Sequence, residues 1–161
     1  MTVQIGEVLV HPHHGVVTVK GFETRDLRGE PARYLVLAAS QNSLTIKIPA
    51  SSFEDLGMRR LMDPAMLERL SETLSGVADE GPANWSRRFK SYEHKMASGN
   101  LFQVAEVVRD LLRGRHERGI SPGERRMLDR ARSLIAGEMA AMPQFSSEEA
   151  AVDYIDARVL G

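Results

Sequence analysis

The chain contains no cysteine, which removes disulfides, thiolate nucleophiles and zinc ribbons together. Aromatic residues make up only 6%, with a single tryptophan, so any exposed aromatic plate has few candidates. No apolar run approaches the ~20 residues needed to span a bilayer. The opening Met1-Thr2-Val3-Gln4 has neither a basic n-region nor an apolar h-region, so a cytoplasmic location is expected. Phosphate-cradling glycine loops, hydrolase elbows and paired catalytic carboxylates are all missing from the sequence. Gly6, Gly15 and Gly29 stand alone and suit turns or a bulge. Nothing in the sequence supports an enzyme, and no cofactor is expected.

What remains is the composition of a soluble globular protein: 161 residues, 42% hydrophobic and 27% charged, enough for two small domains. The net charge of −1 hides an uneven distribution. Residues 82–134 hold 12 Lys or Arg against 6 acids, a net of +6, whereas residues 135–161 net −4. That asymmetry suits an anionic partner for the middle segment, or a solvated helical surface with interspersed charges.

The first fifty residues read as strands. Val8-Leu9-Val10, Val16-Val17-Thr18-Val19, Tyr34-Leu35-Val36-Leu37 and Leu44-Thr45-Ile46-Lys47-Ile48 are β-branched or aromatic runs separated by turn-like pieces. The expected fold class is α+β: a small Tudor- or SH3-like β-domain over 1–52, a linker over 53–60, and an all-α bundle of about five helices over 61–161. Helical spacing starts near residue 58 and carries Leu61, Met62, Met66, Leu67, Leu70 and Leu74. Pro82 suits the first turn of a second helix, and Asn100 or Ser98 can cap a third that Gly119 ends. Ser121-Pro122-Gly123-Glu124 is a capping box with proline at N1, and Ser146-Ser147-Glu148-Glu149 repeats the box before a last helix.

Two clusters invite chemistry. His11, His13 and His14 flank Pro12 and precede Gly15; a zinc site wants a fourth ligand that nothing nearby supplies, so they read as a turn and no metal is expected. Asn84-Trp85-Ser86-Arg87-Arg88-Phe89-Lys90 puts the one tryptophan in the first turn of a helix, followed closely by cations. Two readings stand on the residues alone: Trp85 anchors a helix–helix core, or it is an aromatic plate beside phosphate-binding cations.

At these residues the sequence resembles the CarD family of bacterial RNA polymerase-binding regulators. Gly6-Glu7-Val8-Leu9-Val10-His11-Pro12-His13-His14-Gly15 is similar to the family's G-D-x-V-V-Y-P-x-H-G opening. Further matches are Glu23-Thr24-Arg25, Asn84-Trp85-Ser86-Arg87-Arg88, Val104 to Leu111 and Glu117 to Leu128. The N-W-S-R-R segment with both domains is most similar to actinobacterial members. The resemblance implies a Tudor-like domain that docks on the polymerase β subunit, of a type also found in transcription-repair coupling factors. It implies a helical domain at the upstream edge of the transcription bubble, stabilising the promoter open complex without reading sequence. Arg25 and Lys47 would belong to the polymerase face. Trp85 would meet the splayed fork, and Arg87, Arg88, Lys90 and Lys95 would reach phosphates. The alternative is a protein-interaction adaptor on polymerase with no DNA contact. His11 stands where the family usually has tyrosine. Lys47 stands where close relatives often carry arginine, which removes a bidentate contact to carboxylate.

Overall fold

The computed structural model describes residues 2–40, 42–78 and 84–161. The expectation for Pro82 lies outside them. The chain divides into two compact units, Met1–Leu61 and Met62–Gly161.

The first unit is one antiparallel sheet of β1 (Val8–His11), β2 (Gly15–Leu27), β3 (Glu30–Ala39), β4 (Thr45–Pro49) and β5 (Arg59–Arg60), in the order β4-β3-β2-β1-β5. Leu9, Val17, Val19, Leu35, Leu37, Ile48, Phe53 and Met58 form its core. β2 and β3 meet in a two-residue turn, Arg28-Gly29, with both residues at positive φ (55° and 86°). This is the primed geometry whose twist matches the flanking strands.

A bulge at Lys20 sets the direction of the β2 side chains that follow it. The pairing shifts from Val19 opposite Leu37 to Gly21 opposite Val36. Strict alternation would send every odd residue of β2 to the same side as Val17 and Val19. The extra residue reverses the phase, so Phe22 joins the core opposite Leu35 while Glu23 and Arg25 turn to the outer face.

The expected linker, 53–60, belongs to the first unit. Phe53 and Met58 are buried in its core, and Arg59 and Arg60 pair with Val10 and Leu9 of β1. Two consecutive arginines carry no strand propensity, so this pairing is imposed by the burial of Met58 beside them.

The second unit holds α1 (Pro64–Ser75), α2 (Trp85–Ala97), α3 (Leu101–Glu117), α4 (Pro122–Ala140) and α5 (Glu148–Leu160). α1 starts later than the periodicity suggests, because Asp63 caps it through Met66 N–H (2.8 Å) and Pro64 occupies N1. Met62 stays outside the helix, buried, its N–H donating to Glu138 Oε2 at 2.8 Å. Asn100, rather than Ser98, caps α3 through the N–H groups of Phe102 and Gln103. Gly119 follows α3 at φ 86°, the left-handed position that glycine takes at helix ends. The capping box at Ser121 and Glu124 is complete, whereas the last helix is capped by Ser147 alone, through Ala150 N–H. α3 is central, packing on α1, α2, α4 and α5 through Val104, Ala105, Val107, Val108, Leu111 and Leu112.

Candidate nucleic-acid and polymerase interfaces

On the outer face of the first sheet, Glu23 lies opposite Tyr34 and Lys47 opposite Val36, so β3 separates them. The Glu23 carboxylate reaches across it. Its Oε1 lies 3.2 Å from Lys47 Nζ, and its Oε2 accepts from Arg25 Nε at 3.2 Å. The Lys47 bond, and after it the charges of Lys47 and Arg25, hold the Glu23 carboxyl below its ordinary pKa. Arg25 and Lys47 are thus brought together, as one outward-facing basic pair around one carboxylate. Sequence reasoning missed Glu23, since its outward direction depends on the bulge.

In the second unit Asn84 caps α2 by accepting from Ser86 N–H (2.8 Å) and Arg87 N–H (3.4 Å), which fixes Trp85 at the first helical position. Trp85 is 47% exposed. Its ring stacks on Phe89 one turn along, centroids 5.3 Å apart and planes 13° from parallel. Phe89 lies over Gly123, where an added Cβ would come within 3.5 Å of the ring. The indole N–H donates to Glu124 Oε1 at 3.2 Å. An offset aromatic pair with one polar tether is an oriented plate rather than a core filler. Tyr92, further along α2, is buried, and burial followed by the Asp110 charge pushes its phenol pKa up.

The four helix cations separate into two classes. Arg87 and Lys90 are exposed. Arg88 is turned inward, its Nε 3.8 Å from Glu124 Oε2, and Lys95 Nζ lies 3.1 Å from Glu106 Oε2. The net positive charge of 82–134 is also partly internal. Arg109 pairs with Asp110 in the core, Arg113 donates to the carbonyls of Leu74, Gly76 and Val159, and Arg132 bonds Asp156. Arg118, Arg125, Arg126 and Arg130 remain exposed. Charge counting could not distinguish these classes, because the inward arginines sit at the same helical spacing as the outward ones.

The histidine cluster is a turn. His11 Nδ1 accepts from the backbone N–H groups of His13 (3.1 Å) and His14 (3.2 Å), and its ring lies 4.6 Å from that of His14. Among the described residues no group of His, Asp and Glu is arranged to hold a metal, and no helix is long and apolar enough to cross a membrane.

A small sheet with a charged outer face, followed by a helical unit whose α2 exposes an oriented tryptophan and two cations, has the features of a two-part interaction protein. Residues 3–62 match the CarD-like/TRCF RID domain and residues 69–156 match the CarD, C-terminal domain. The chain belongs to the CarD family, a transcription-factor family with an RNA polymerase interaction domain. It is 27% identical over 146 residues to the "Putative transcription factor YdeB" of Bacillus subtilis (strain 168), covering 91% of this chain and 95% of that protein.

Proposed function

We propose that this chain docks on the RNA polymerase β subunit through Arg25 and Lys47 and stabilises the promoter open complex through Trp85. The observation that carries the reading is the half-exposed indole of Trp85, stacked on Phe89, on a helix that also exposes Arg87 and Lys90. Opening a promoter unstacks base steps. A protein that binds the splayed fork better than the duplex shifts that equilibrium by its differential affinity. A ring that stacks on an opened step has that property, because the surface it covers exists only after opening. Such stacking contributes about 1–3 kcal/mol, or roughly five- to a hundred-fold in open-complex population. Polymerase supplies the address, and tethering raises the local DNA concentration, so base-specific contacts are unnecessary. Arg87 and Lys90 supply the phosphate contacts. Arg88 and Lys95 contribute less, since each already neutralises a carboxylate. The chain acts with polymerase on the nucleoid, in the cytoplasm. The test is open-complex lifetime with purified polymerase: lengthened by this protein, and returned to the polymerase-alone value by Trp85→Ala. An unchanged lifetime on addition of the folded protein would refute the reading.

A further inference from the structure

Glu124 is almost fully buried, 3% exposed, yet its oxygens are unequally used. Oε1 accepts two N–H groups, Ser121 backbone N–H at 3.2 Å and the Trp85 indole at 3.2 Å. Oε2 faces Arg88 Nε across 3.8 Å, and neither atom makes a hydrogen bond. The same residue is therefore N3 of the α4 capping box and the polar tether of a ring 39 positions earlier in the chain. A capping box requires only a side chain that reaches the N-cap N–H. It requires neither burial nor an aromatic donor. Those belong to α2: Phe89 beneath the indole covers Gly123 immediately before Glu124.

We infer that Glu124 is a positioning residue for Trp85, fixing the plane of the exposed indole by holding its N–H against the first turn of α4. The inference rests on the proposed contact between Trp85 and an opened promoter step. Stacking against Phe89 sets the ring's tilt but leaves it free to slide in its own plane. A hydrogen bond at one edge removes that freedom, so less entropy is lost when the ring meets a base. The capping box is rigid by construction, and α4 gains its anchorage from the central α3. The inward Arg88 balances the carboxylate without occupying Oε1, which leaves that oxygen to the two N–H donors.

Because Trp85 is the only tryptophan, its fluorescence reports the tether directly in the full-length protein. Glu124→Ala removes cap and tether together, Ser121→Ala removes the hydroxyl half of the cap and leaves the tether, and Glu124→Asp keeps the charge on an arm one methylene too short. Glu124→Gln restores an acceptor of full length. The expected result is that Glu124→Ala and Glu124→Asp shift the emission, raise acrylamide quenching and shorten the open-complex lifetime about three- to tenfold, the worth of one such bond. Ser121→Ala should change both readouts less than about twofold at an equal loss of melting temperature, and Glu124→Gln should recover most of the parent's behaviour. If Glu124→Ala fails to fold, Glu124→Asp carries the comparison. The inference is overturned if the Glu124 variants keep the parent's quenching and lifetime, or if Ser121→Ala matches them in both. Those results leave Trp85→Ala free to shorten the lifetime. A Trp85→Ala variant with the parent's lifetime would instead remove the fork contact itself, and the positioning role with it.

Discussion

In the first unit the outward cations Arg25 and Lys47 share a carboxylate that is itself in water; the Glu23 side chain is 38% exposed. In the second unit Arg88 and the Trp85 indole share a carboxylate that is out of water, Glu124, whose side chain is 4% exposed. A surface pair is easily exchanged for a partner's charges, because solvent screens it and both side chains remain mobile. A buried pair keeps its geometry, because separating it strands a charge in a poor solvent. Under the proposed function, one unit trades its ion pairs on docking and the other keeps them while presenting a ring.

The largest expected effect tests the second half of that contrast. Trp85→Ala should reduce open-complex population by roughly five- to a hundred-fold, the worth of one stacked base. Stability should fall by far less than the ~3–5 kcal/mol typical of a buried tryptophan. Thermal melting and open-complex decay measured on one preparation separate the two, and a collapsed fold would make Trp85 a core residue after all. Next in size, Arg25→Glu should weaken binding to the β subunit by about tenfold, since it sets like charge against a complementary surface. Pull-down or surface plasmon resonance with the β lobe reads this; unchanged affinity in a folded variant takes Arg25 out of the interface.

A finer test divides the helix cations. Alanine at both Arg87 and Lys90 should lower the logarithmic salt slope of duplex binding by about 1.8, close to 0.9 for each phosphate contact. Alanine at both Arg88 and Lys95 should lower it by less than about 0.9 in total, because those charges are already matched. Equal slopes for the two double variants would erase the distinction between exposed and paired cations. A smaller gain is expected from Lys47→Arg, about two- to threefold in β-subunit affinity, from a second N–H to the partner carboxylate. Titration of the lobe with both proteins decides it.

The smallest effect lies in the β1–β2 turn. Burial, with the neighbouring His14 and His13, lowers the His11 pKa. The unfolded chain, with its histidine near the ordinary value of about 6.5, therefore binds protons first as pH falls. Stability contributed by neutral His11 is present above that value and declines as pH drops towards the folded pKa. The variant His11→Tyr should flatten this acid limb of the melting temperature, and a limb as steep as the parent's would exclude His11 as its source.

How much of this was legible beforehand follows from periodicity. Strands and helices came through because alternation and helical spacing are local signals, and the Ser121–Glu124 box fixed a helix start to the residue. The phase of β2 was not read from the sequence, because a bulge at Lys20 inverts every later side chain and its one mark, the interior Gly21, does not say which way the strand shifts. β5 was hidden for a related reason: Arg59-Arg60 pair with β1 through backbone atoms that carry no sequence signal. Trp85 could be singled out by its rarity and its cations, but the choice between plate and anchor needed its exposure. Glu124 was visible as a cap and invisible as a tether, since Trp85 stands 39 positions away.

The Arg113 guanidinium gathers three carbonyls at helix ends: Leu74 O at 3.2 Å, Gly76 O at 2.6 Å and Val159 O at 3.2 Å. Its Nε and both terminal nitrogens are engaged, so the last turn of α1 and the last turn of α5 hang from one side chain of α3. Fraying, which normally makes helix ends the first amides to exchange with solvent, then becomes a joint event. Opening the end of α5 releases the nitrogen that shares a plane with those holding α1. In deuterium exchange the terminal amides of both helices should lose protection together, at one rate, and Arg113→Lys should split that rate into two.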